Sequence, residues 1–141
     1  MKTRFTPLVL IKKNHLDQCE RDLARANTDL HNAKSAVEDT YNALRQLHSI
    51  VSGTMQEMLS HRVIVAMQRR TLNEKREWMA FATKQVEMFQ KKMQQAYMEY
   101  EKYKYLETKE IELIVKKREQ LEAKQLDESA LQSYMYRQEH L

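Results

Sequence analysis

One glycine, one proline and one cysteine are all that this 141-residue sequence holds of the residues that most often turn, kink or cross-link a chain. With only Gly53 and Pro7, there is almost no turn chemistry to join several short elements. A lone Cys19 excludes an internal disulfide framework and points to a reducing compartment. No apolar run approaches the roughly 20 residues that span a bilayer. The apolar start "FTPLVLI" is too short for a signal peptide and runs into Lys12-Lys13 rather than a small-residue cleavage site. The expectation is a soluble, cytoplasmic chain.

Catalytic chemistry is equally sparse. A chain with one glycine can hardly build a phosphate-cradling loop. His15, His31, His48, His61 and His140 show no metal-ligand spacing. His15 and Cys19 lie four apart, but Cys19 falls on an apolar helical stripe. No nucleophile–base arrangement is suggested, and a helical rod offers no deep pocket for one. No catalytic, cofactor or metal site is expected, and the protein reads as a non-enzyme.

What is present suits long helices. Charged residues make up 31% of the chain, and the hydrophobic 42% is rich in Leu, Met, Ala and Tyr, a mix typical of coiled coils. The net charge of +4 is unevenly placed: residues 1–98 carry an excess of six positive charges, residues 99–128 an excess of two negative ones. The basic pairs Lys12-Lys13, Arg69-Arg70 and Lys91-Lys92 are scattered rather than gathered in a stripe. A solvated coiled-coil surface explains them better than a nucleic-acid site.

From Leu16 a heptad runs Leu16, Cys19, Leu23, Ala26, Leu30, Ala33, Val37, Thr40, Leu44, Leu47, Val51, with Thr40 the one polar member. This 3-4 spacing puts all of them on one helical seam. Thr6 is positioned to cap the helix, with Pro7 at the first helical position, where its missing N–H costs nothing. A second seam runs Leu72, Lys75, Met79, Ala82, Val86, Phe89, Met93, Ala96, Tyr100, Tyr103, broken only by Lys75. Beyond Tyr103 the phase slips, and Glu107, Ile111, Ile114, Arg118 and Leu121 continue a weaker stripe.

Gly53 lies between the two seams. Glycine suits the left-handed residue that ends a helix, and Thr54-Met55-Gln56-Glu57 fits the capping box that begins one. Against a break, the heptad phase carries straight across Gly53, as it would in one unbroken helix of a parallel dimer. Thr54, His61, Gln68 and Lys75, however, put four polar residues in succession at one seam position. The favoured reading is all-α: a long antiparallel two-helix coiled coil, a helical hairpin with an overhanging second helix. One coiled-coil domain spans residues 1–141, with helix one at about 7–51, the tip at 52–54 and helix two at about 54–136. At 1.5 Å per residue the helices would be on the order of 68 and 125 Å long, so helix two would lose its partner near residue 99. The rival, a parallel dimeric rod serving as scaffold, would measure roughly 190 Å.

Two surfaces stand out. Ile64, Met67, Trp78, Phe81 and Met88 form a second apolar row beside the seam of helix two. They either widen the hairpin seam or make a partner-docking ridge, where Trp and Met are favoured anchors. Tyr97, Tyr100, Tyr103 and Tyr105 cluster where helix two outruns helix one, as core or as contacts.

The opening "MKTRFTPLVLIKKNHLDQCERDLARA" resembles the start of the FliJ family of flagellar type III export proteins. So does the later run "YEKYKYLETKEIELIVKKREQLEAKQLDESA", with its closing Leu126, Asp127, Glu128 and Ala130. The resemblance implies a rod similar to the central stalk of rotary ATPases. Such a rod sits in the ring of the flagellar export ATPase, promotes its assembly and activity, contacts the membrane-embedded export gate and helps recycle export chaperones. It would lie on the cytoplasmic face of the inner membrane, peripheral to the bilayer, with no nucleic acid bound. Carried onto this sequence, Phe5, Leu8, Ile11, Lys12, Lys13, Tyr100 and Tyr103 would meet the ATPase ring. Ile64, Met67, Trp78 and Phe81 would face the gate. A stalk of a virulence type III secretion system is the related alternative.

Overall fold

Two threonines start the first helix. In the computed structural model, which describes residues 2–47 and 53–139, the hydroxyl of Thr3 accepts the Phe5 N–H at 3.1 Å, while that of Thr6 accepts the Thr3 N–H at 2.9 Å. The cap therefore lies one turn before the expected Thr6, which becomes the second partner of a reciprocal pair. Pro7 still occupies the first turn, where no intrahelical donor is needed. Helix α1 spans Thr6–Leu47 and α2 spans Met55–Glu139, with no strand among the described residues. The two helices pack on one another as a hairpin, which excludes the single unbroken helix of a parallel rod. Ser52, part of the expected tip, and the seam residue Val51 lie outside the described residues.

Helix α2 begins as its sequence dictates. Thr54 Oγ1 accepts the Glu57 N–H and a Glu57 carboxylate oxygen accepts the Thr54 N–H, each at 3.2 Å, so two orphan donors are satisfied reciprocally. The glycine before this box is not the left-handed residue expected there, because Gly53 has no positive φ. Its value is space. A Cβ on Gly53 would stand 2.6 Å from Glu57 Oε2, so any side chain there would push the returning carboxylate aside. Thr54→Ala is expected to cost about 1 kcal/mol, seen as faster amide exchange confined to the first turn of α2.

The chain divides into two units, His15–Tyr97 and Met1–Asn14 with Met98–Leu141. Within His15–Tyr97 the heptad becomes burial. Leu16, Cys19, Ala26, Ala33 and Leu44 of α1 are buried, as are Val65, Leu72, Ala82, Val86 and Ala96 of α2. The seam residues between them are half-buried. Leu44 clusters with Val65 and Leu72, and Val37 and Leu47 pack against the cluster, so the last turns of α1 meet the early turns of α2. Cys19, Ala26 and Ala33 are small residues seven apart on the seam, and such residues let helix axes approach closely.

Polar seam members are accommodated locally. The Thr40 hydroxyl donates to the Ala36 carbonyl at 2.7 Å. Lys75 is half-buried, and its ammonium sits 5.7 Å from the Trp78 ring centroid. Gln68 and His61 are likewise half-buried while Thr54 is exposed, so the seam runs through three of the four polar positions where the sequence suggests that it lapses.

The register differs from a symmetric fold-back. Residues Met55 to Ser60 are exposed throughout, Met55 at 81%, and α1 meets α2 only from about His61 onward. In the second unit Arg4 pairs with Glu110 and Lys12 with Glu99; numbers rise along α1 as they fall along α2, the mark of antiparallel helices. Contact there persists well past the expected limit near residue 99. Half-burial continues to Val115, and every described residue from Lys116 to Glu139 is exposed.

Candidate partner-binding surfaces

The first surface lies within the unit of Met1–Asn14 and Met98–Leu141. The first turns of α1 present Phe5, Val9 and Lys12 toward α2, all half-buried, as the backward extension of the heptad requires. Lys12 Nζ lies 3.7 Å from a Glu99 carboxylate oxygen and 5.5 Å from the Tyr103 ring centroid. Lys13 Nζ stands 5.4 Å from the Tyr100 ring and Lys104 Nζ approaches the same ring at 5.6 Å. The structure thus brings Lys12, Lys13, Tyr100 and Tyr103 together as cation–π pairs. Phe5 is half-buried, whereas Leu8 and Ile11 point away from the seam and are exposed, Ile11 at 59%. The ion pairs of Arg4 and Lys12 carry no local sequence signal, because their partners sit about a hundred positions away on another helix.

The second surface lies within His15–Tyr97. Ile64, Met67, Trp78, Phe81 and Met88 are all exposed, Met67 at 63% and Phe81 at 60%. They flank the seam, with Trp78 and Met88 nearest to it at 40% and 39% exposed. They repeat at intervals of three and four along α2, with Thr71, Glu74 and Gln85 filling the gaps, so they form a discontinuous apolar row on one flank of the helix. Sequence reasoning missed the neighbouring Met55, Met58, Leu59 and Val63, which are also exposed. Their exposure follows from the register, which leaves the first turns of α2 without α1 beside them. A shallow open depression lined by Leu47, Thr54, His61 and Ile64 among others borders this row.

No cluster of His, Cys, Asp or Glu among the described residues is arranged to hold a metal ion. Cys19 is buried, with Sγ 3.7 Å from His15 Nε2. No helix among the described residues is long and apolar enough to cross a membrane.

A family model described as the flagellar FliJ protein matches residues 1–139. The chain belongs to the FliJ family. It is thus a flagellar export protein, from a family of non-catalytic export components. No curated protein and no solved structure gives a match. Because the FliJ match covers both helices, it takes in both surfaces described above.

Proposed function

We propose that this FliJ-family chain is the central stalk of the flagellar export ATPase, binding inside its ring and contacting the export gate through its apolar row. Phe5, Leu8, Ile11, Lys12, Lys13, Tyr100 and Tyr103 are the ring-facing residues in this reading. Ile64, Met67, Trp78 and Phe81 face the gate, and export chaperones are a further partner. The protein then works on the cytoplasmic face of the inner membrane, peripheral to it. The observation that carries the reading is the pairing of Lys12 and Lys13 with Tyr103 and Tyr100. It makes one stiff, mixed cationic and aromatic surface out of residues from both helices.

The mechanism is mechanical. An asymmetric rod touches each subunit of a ring differently, so it binds the nucleotide states of those subunits unequally and shifts their populations. The test is the ATPase rate and ring assembly of the export ATPase from the same genome, with and without this protein. Stimulation at a substoichiometric ratio is expected. Lys12→Glu with Lys13→Glu, combined with Tyr100→Ala and Tyr103→Ala, should weaken ring binding by roughly tenfold or more. Unchanged binding by that variant would remove the ring assignment of these residues.

A further inference from the structure

The first turns of α1 are held in a different way from everything packed within His15–Tyr97. Among the described residues, every buried side chain, from Leu16 to Ala96, belongs to His15–Tyr97. Among the described residues of Met1–Asn14 and Met98–Leu141, none is buried. The arm formed by residues 2–14 rests on α2 through half-buried Phe5 and Val9 and through charge. Lys12 meets Glu99 at 3.7 Å and Arg4 meets Glu110 at 3.8 Å, with the Arg4 side chain 76% exposed. Lys12 and Lys13 stand over Tyr103 and Tyr100. Partly exposed pairs of this kind weaken with salt and contribute little one by one.

The covered face of α2 also carries a group that the arm does not satisfy. Glu107 is half-buried, and its Oε2 is closed to solvent with no hydrogen-bond partner. The register set by the Arg4–Glu110 and Lys12–Glu99 pairs and by Lys12 over Tyr103 puts Glu107 opposite the stretch from Arg4 to Leu8, whose one cation, Arg4, pairs with Glu110 instead. A desolvated acceptor left unpaired costs more than an ordinary hydrogen bond contributes. The arm is therefore an imperfect occupant of the face it covers.

We propose that the face of α2 from Glu99 to Glu110 is an exchangeable docking surface for a cationic amphipathic helix. The arm opens from it while His15–Tyr97 stays folded, and a partner helix takes its place, placing a lysine or arginine on Glu107. Opening of the arm exposes no buried core, so it belongs to the low end of the local-unfolding scale. The arm itself defines the chemistry of the replacement. Residues 2–14 carry four cations and no anion, and the arm turns half-buried Phe5 and Val9 toward the covered face. The incoming helix repeats this pattern and adds a cation aimed at Glu107, where the arm's Arg4 is held by Glu110. The inference does not rest on the ring reading, and none of its readouts involves the export ATPase.

Amide exchange on the full chain tests the opening. Amides of Val9 to Asn14 are expected to exchange about tenfold or more faster than those of Leu23 to Val37, with the gap widening as salt is raised. Glu107→Leu, which replaces the unmet carboxylate with an apolar group, should slow arm exchange by about tenfold. The docking is tested with a labelled synthetic peptide of residues 2–16 carrying Val9→Lys. It should bind the full chain saturably, more weakly in high salt, and about tenfold more weakly to the Glu107→Leu chain. Arm exchange indifferent to both salt and Glu107→Leu would overturn the opening. A peptide that fails to bind, or binds both chains equally, would overturn the docking. A concentration-dependent dimer in light scattering that the peptide cannot compete away would name a second copy as the occupant and overturn the partner helix.

Discussion

Leu72→Ala is expected to lower the stability of the hairpin by about 2–3 kcal/mol, read from the urea midpoint of the helical signal. Leu72 is 5% exposed and shares a cluster with Leu44 and Val65. Removing its branched end forfeits the transfer free energy of three carbons and leaves a void that a two-helix seam cannot fully close. The seam is narrow, so the figure lies toward the lower end of what a large core shows for the same exchange. Ile64→Ala, eight residues back on the same helix, supplies the contrast. Ile64 is exposed, and its truncation should stay within about 0.5 kcal/mol of the parent. Equal losses at the two positions would mean that the exposed row packs on something within the chain after all.

The largest functional effect is expected from Ile64→Asp combined with Met67→Asp. Two charges placed in the exposed apolar row would meet any apolar partner as uncompensated, desolvated carboxylates, a penalty of several kcal/mol that abolishes an ordinary interface. Swimming in a complemented null strain should be lost and gate binding should fall below detection. The isolated protein should keep its helical signal and its urea midpoint, because neither side chain is buried. Wild-type motility with both substitutions in place would remove this row from the gate interface.

The seam was legible in the sequence because burial in a coiled coil follows heptad phase closely. Leu16, Cys19, Ala26, Ala33 and Leu44 were marked by spacing alone, and the structure buries all five. The capping box at Thr54 was legible for a similar reason, since its partners are three residues apart. Failures begin wherever the answer depends on pairing between helices. Register is set by where the chain turns back and by which polar residues the seam tolerates, and neither is a periodic signal. The contact zone therefore reaches Val115 rather than ending near residue 99. The same shift leaves Met55 and Met58 outside it. Gly53 misled for a different reason. Glycine is used both for left-handed backbone and for room, and sequence does not distinguish the two; here the room belongs to Glu57. The candidate surfaces were legible as residue types, while the grouping of Lys12 with Tyr103 and Glu99 required the folded register.

Residues Lys116 to Glu139 form regular helix with every side chain exposed. Their substitutions cannot remove a packed neighbour, so helix-compatible changes there should leave the hairpin's folding almost untouched. This makes the segment a clean target for genetics. In most of the chain a defective allele leaves open whether the protein misfolds or fails to engage another molecule. In this tail, a helix-preserving change that harms the cell reports a lost encounter, and suppressor mutations isolated against it should fall in the partner's gene.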